Sequence, residues 1–228
     1  LACYINNTEI VKLLLSTGNA HPEYQDTKGN SALIWACYNS KTEIVNLLLA
    51  TNNAHPEYQD IDGWSALMRA CRENNTEIVK LLLSTGNSHP EYQDKDGWSA
   101  LMWACRENNT EILKLLLSTG DSHPEYQDNY GWSALMRACC KNNTEIVKLL
   151  LSTGNAHPKD IDSFNMKIVD YASNSIKKYI RLYKFIKVIK KIKLIFKVVG
   201  AFKNYDKGKP YSCEMFYLMG LDGILPDE

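Results

Sequence analysis

Residues 61–94 read IDGWSALMRACRENNTEIVKLLLSTGNSHPEYQD, and residues 95–128 repeat them with four changes in 34, at Ile61/Lys95, Arg69/Trp103, Val79/Leu113 and Asn87/Asp121. The same period extends outward. His21, His55, His89, His123 and His157 stand 34 residues apart, each followed by proline, and Cys3, Cys37, Cys71, Cys105 and Cys139 keep the same step. Two unrelated residue types on one period define full units at 27–60, 61–94, 95–128 and 129–162 behind a partial unit at 1–26. Units this alike reflect either constraint at every position or recent duplication. We give precedence to duplication, so invariance between units says little about importance.

Within one unit, Asp60-Ile61-Asp62-Gly63 signals a turn whose glycine can take a positive φ. Ser65 suits an N-cap, and Ala66 to Cys71 supply a helix of about two turns. Asn74 is a residue type that tolerates the left-handed conformation at the helix end. Thr76 to Leu83 predicts a second helix, with Glu77 in the first turn where the helix dipole favours negative charge, and Gly86 as its stop. Apolar residues at 78, 79, 81, 82 and 83 wrap most of this helix, which therefore needs neighbours on several sides. A unit of this kind does not fold alone. Pro90 is expected to push His89 toward an extended conformation in the crossing to the next unit.

These residues resemble the ankyrin repeat, whose pattern runs D-x-x-G-x-T-P-L-H-x-A-A and then E-I-V-x-L-L-L-x-x-G. Asp60, Gly63, Ser65, Ala66, Leu67, Met68, Ala70 and Cys71 occupy the first half, and Glu77-Ile78-Val79, Leu81-Leu82-Leu83 and Gly86 the second. Ser-Ala-Leu-Met stands for the family's Thr-Pro-Leu-His, Asn74-Asn75 for its Gly-His, and each unit is one residue longer than usual. The resemblance implies an all-α solenoid of stacked helix-turn-helix units over residues 1 to 162. Residues 163–186 read as a degenerate capping repeat, because a terminal unit meets water on one face. Residues 187–228 form a basic amphipathic segment and tail. Leu1 aligns with Trp35 inside a first helix, which points to a start upstream of Leu1 or to a frayed end.

Periodic histidines and cysteines invite a zinc site, but zinc holds ligands at about 2.0–2.3 Å while equivalent atoms of stacked units lie roughly 8–10 Å apart. No metal or cofactor is expected. The cysteines read as compact buried hydrophobes, and seven of them with no paired spacing fit a reducing, intracellular, cytoplasmic setting. Asn-Asn-Thr at 74–76 and its equivalents formally reads as a glycosylation acceptor and is taken as a helix junction. No phosphate loop, G-x-S-x-G or H-E-x-x-H occurs, so neither an enzyme nor a small-molecule substrate is expected. Leu225-Pro226-Asp227-Glu228 is similar to the opening of an F-box, with an ordinary tail as the plainer reading.

Positions that change while the frame stays fixed locate the candidate binding face. The series Leu1, Trp35, Arg69, Trp103, Arg137 is one, Tyr38, Arg72, Arg106, Cys140 another, and the turn series ending in Tyr130 a third. Ankyrin proteins bind partners through turn tips and the concave helix face, so the resemblance places these positions there. Trp, Tyr and Arg are also the types enriched at interface hot spots, which nominates Trp35, Tyr38, Arg69, Arg72, Trp103, Arg106, Tyr130 and Arg137. Trp35 and Trp103 are read as exposed. Trp64, Trp98 and Trp132, next to the turn glycines, are read as bracing the turns. The expected protein is a monomeric scaffold for an unidentified intracellular protein.

The net charge of zero is a cancellation, since residues 1–162 hold 13 basic and 20 acidic residues and residues 163–228 hold 13 and 6. The basic end places Ile176, Tyr179, Ile180, Tyr183 and Ile186 on one helical face and Lys177, Lys178, Arg181 and Lys184 on the other. Beyond Lys187 the apolar side swings away, so a kink or second helix is expected there. Packing on the last repeat is the preferred role for this segment. The alternative is a peripheral membrane or polyanion-binding adaptor attached through Lys184, Lys187, Lys190 and Lys191.

Overall fold

Each unit builds its two helices from local signals, and the stack follows from what those helices leave apolar. The computed structural model describes residue 3, residues 7–157 and residues 161–203, without the side chains of 192, 193 and 195–203. The first helices of the units are α2 (Ala32–Tyr38), α4 (Ala66–Arg72), α6 (Ala100–Arg106), α8 (Ala134–Cys140) and the short α10 (Ile168–Tyr171). The second helices are α1 (Thr8–Ser16), α3 (Thr42–Leu49), α5 (Thr76–Ser84), α7 (Thr110–Ser118) and α9 (Thr144–Ser152), and α11 (Asn174–Lys203) follows. First helices pack in the order α2, α4, α6, α8, α10 and second helices in the order α1, α3, α5, α7, α9. Among the described residues there is no strand, only single bridges such as Gln59 to Ser65.

The Ser65 cap and the left-handed Asn74 are as the sequence predicts, and Asn75 caps the second helix in addition. Ser65 Oγ accepts from Met68 N at 3.2 Å, Asn75 Oδ1 accepts from Ile78 N at 3.0 Å, and Asn74 takes φ +58° between the helices. Ile78, Val79 and Leu82 are fully buried between neighbouring units, as are Leu67, Met68 and Cys71. Burial pushes the thiols of Cys37, Cys71 and Cys105 far above their ordinary range, and that of Cys139 to about 12. These thiols stay protonated and behave as apolar filling.

Units are tied at the turns as well as through the helices. Lys95 N donates to Asp62 O at 2.9 Å, and the same bond links Ile61 to Lys28, Asn129 to Asp96 and Ser163 to Tyr130. This contact sets the need for glycine. Gly63 sits at φ +84°, and a Cβ there would lie 2.8 Å from Asp94 Cα. Gln59 Nε2 adds a bridge, donating to Gly63 O at 2.5 Å and to Gln93 O at 3.3 Å.

Two expectations require correction. His89 is not extended but takes φ +47°, as His55 and His123 take +48° and +43°. The right-handed helical region is disfavoured before proline, and histidine tolerates the left-handed one. There the imidazole stacks on Tyr92 with centroids 4.6 Å apart and its Nδ1 lies 2.7 Å from Glu91 Oε1. The second correction concerns the basic segment, where of the expected kink or second helix near Lys187 no second helix forms and α11 continues through Lys187. No proline or glycine interrupts it before Gly200, so nothing local ends it. The F-box-like residues 225–228, Leu1 and residues 4–6 lie outside the described residues.

Candidate binding face on the first helices

Each turn aspartate organises the face. Asp60 Oδ1 accepts from Asp62 N and Trp64 N, both at 2.9 Å, while Oδ2 accepts from Arg69 Nη2 at 2.8 Å. The residue nine places after the aspartate thus reaches back to it. Trp35 Nε1 donates to Asp26 Oδ2 at 2.9 Å, and Arg137 and the Tyr171 hydroxyl make the corresponding bonds to Asp128 and Asp162. At Asp26 burial raises the carboxyl, but hydrogen bonds from Asn30, Trp35 and Lys28 outweigh it and leave the group below its ordinary value. The bond to Asp162 pushes Tyr171 up to about 12.

Asp94 is the exception. Its Oδ1 accepts from Asp96 N at 3.0 Å and Trp98 N at 2.8 Å, but the Trp103 indole N–H is buried without a hydrogen-bond partner among the described residues. Burial then exceeds the two backbone bonds, and the Asp94 carboxyl sits above its ordinary value.

Across units these side chains form a run of rings and guanidinium groups. Arg69 Cζ lies 5.5 Å from the Tyr38 ring and 4.1 Å from Trp64, Trp103 lies between Trp64 at 4.8 Å and Trp98 at 4.2 Å, and Arg137 Cζ is 3.3 Å from Trp98. Trp132 continues the run to Tyr171 at 4.6 Å. Arg72 Cζ stands over Trp64 at 5.3 Å, and Arg106 Cζ over Trp103 at 4.9 Å. Stacked this way, a guanidinium keeps its N–H edges available while its face is held.

The structure divides the nominated residues. Trp103 is not exposed, with 6% of its surface accessible, because the turn tryptophans on either side enclose it. Arg69 and Arg137 are largely buried in their ion pairs with Asp60 and Asp128. Burial also pulls the Arg137 guanidinium below its ordinary value; Asp128 opposes this and Arg106 adds to it. Trp35 is half-buried by its bond to Asp26. Tyr38, Arg72, Arg106 and Tyr130 remain exposed, Tyr38 by 40% and Tyr130 by 58%. Trp64, Trp98 and Trp132, ranked below the others on sequence, do more than brace turns: they separate the side chains of successive units.

Among the described residues, grooves open on this face. One of about 350 Å³ is lined by Lys28, Trp35, Tyr38, Asp62 and Arg72, and another of about 290 Å³ by Trp98, Tyr130, Trp132 and Phe164. Among the described residues no three His, Cys, Asp or Glu side chains are grouped to hold a metal.

The chain matches a family model described as ankyrin repeats (3 copies) over residues 1–94 and 85–165. Among solved structures it is similar to the ankyrin repeat domain of Bcl-3, described as a unique member of the IkappaB protein family. The TM-score is 0.64 and the identity 28%, with 76% of each chain covered. No curated protein matches it.

Proposed function

Because the chain belongs to the ankyrin-repeat family, whose repeats mediate protein–protein interaction, we propose that it is a non-enzymatic scaffold holding a partner protein on the first-helix face and turn tips. The observation that carries this reading is the division just described. Trp103, Arg69 and Arg137 are used up in building the face, whereas Tyr38, Arg72, Arg106 and Tyr130 stand exposed along it, Tyr38 and Arg72 lining one groove and Tyr130 another. Aromatic and arginine side chains held by stacking lose little rotamer freedom on binding, which favours them as anchors. Trp35 contributes at the rim of the first groove. The buried, protonated thiols fit a reducing, intracellular setting.

The test is affinity capture from cell lysate with wild type and with Tyr38→Ala/Arg72→Ala/Arg106→Ala/Tyr130→Ala. A control carries Lys80→Ala/Lys114→Ala on the second helices, where these lysines pair with Glu111 and Glu145. The expected outcome is loss of a partner from the first variant alone, with both variants melting close to wild type. Equal recovery from all three proteins would remove this face from consideration.

A further inference from the structure

Over Asn174–Lys203, the extent of α11, the sequence carries ten basic residues and no acidic one. The helix has two apolar stripes. Ile176, Tyr179, Ile180 and Tyr183 follow the i, i+3, i+4, i+7 spacing of one face, and Ile176 and Ile180 are fully buried. Leu182, Phe185, Ile186 and Ile189 repeat that spacing on a face roughly a third of a turn away. The second stripe is open to solvent, with Leu182 exposed by 51%, Phe185 by 62% and Ile186 by 42%. Lys184, Lys187 and Lys191 stand on the opposite side.

We propose that residues 181–191 of α11 dock in the plane of an anionic lipid surface. Two chemistries must be met at once. Unopposed cations select an anionic partner, and an exposed aliphatic and aromatic stripe along the same turns selects one with an apolar interior directly beneath the charge. A nucleic acid would satisfy the lysines and leave Leu182, Phe185 and Ile186 in water. An acidic groove on a protein meets one face of a helix through anchors over about two turns, whereas over residues 181–191 cations stand on the flanks and back of the exposed stripe, the arrangement of a helix lying in an interface. A second copy of α11 would set cation against cation. Arg181 and Lys190 flank the exposed stripe, so their stems lie along the apolar boundary and carry the cationic heads up to the phosphates. No described helix is long and apolar enough to cross a bilayer, so the contact is with its surface. This inference is independent of what the repeats bind.

The full chain is sedimented with vesicles of phosphatidylcholine containing about 30% phosphatidylserine, and with phosphatidylcholine alone, at about 50 mM and 500 mM salt. Binding is expected only to the anionic vesicles and only at low salt. Lys184→Glu/Lys187→Glu/Lys190→Glu/Lys191→Glu should weaken it more than about 100-fold, and Phe185→Ser/Ile186→Ser about 10-fold or more, with the repeat melting transition unchanged in both. No binding at low salt, or equal binding to both vesicle types, overturns the proposal. So does a Phe185→Ser/Ile186→Ser protein that binds anionic vesicles as wild type does, because the contact would then be charge alone. Protection of the chain from vesicles by duplex DNA that the same serine variant still binds fully would assign the helix to phosphate chains instead.

Discussion

The turns that open at Asp60 and at Asp94 differ over their first ten residues only at 61/95 and 69/103, yet they solve one electrostatic problem in opposite ways. Both bury an aspartate whose Oδ1 caps two backbone N–H groups. In the first, Arg69 neutralises the remaining oxygen. In the second, Trp103 supplies ring contacts to Trp64 and Trp98 but no hydrogen bond, and Asp94 keeps a raised pKa. Along the face, Arg69 and Arg137 both stack and pair with their aspartates, whereas Trp103 stacks and leaves Asp94 without that bond.

Removing the centre of the stack breaks this comparison most severely. Trp103→Ala should destabilise the repeats by about 3–5 kcal/mol in urea unfolding, since the ring is buried between two others. Next comes the charge pair. Asp60→Asn keeps the Oδ1 cap but strands a largely buried guanidinium, for a loss of about 3 kcal/mol, whereas Asp94→Asn should change stability by no more than about 0.5 kcal/mol or raise it. Equal losses at the two sites would mean that the Arg69 pair contributes nothing beyond the cap.

The frame of this protein is legible because its signals are local. Ser65, Asn74 and Gly86 each act within one helix end, and the 34-residue step fixes the order of packing. The face was harder to read. The series Trp35, Arg69, Trp103, Arg137 looks like a variable exposed surface, because its members share neither size nor charge, and the structure adds Tyr171 to it. What they share is a long side chain ending in an N–H or O–H donor, nine residues after an aspartate, and four of the five use it. Residue identity varies while the hydrogen-bonding role persists, so a comparison of identities marks these positions as partner contacts when most of them are internal supports. Of α11, the stripe through Ile176, Tyr179, Ile180 and Tyr183 was legible as a pattern, but Ile186, assigned to it, is exposed with Leu182 and Phe185 on a second stripe that the pattern did not reveal.

Acid provides the smallest and most specific test of the Asp60/Asp94 difference. A carboxyl whose folded pKa lies above its unfolded value of about 3.8 makes the folded state prefer the protonated form. Its contribution to stability is fully present below about 3.8 and is lost as pH rises through the folded value. Any advantage of Asp94→Asn over wild type should therefore exist at pH 7, shrink as pH falls through the folded pKa of Asp94, and vanish below the unfolded one. Asp26 has the opposite sign, because its folded pKa is depressed: its contribution is present above the unfolded value and is lost as pH falls through the folded one. Asp26→Asn should accordingly cost stability at pH 7 and progressively less in acid. Melting curves of the two variants and wild type between about pH 3 and 7 would separate the sites, and parallel pH profiles for both would mean that the indole of Trp103 serves Asp94 as that of Trp35 serves Asp26.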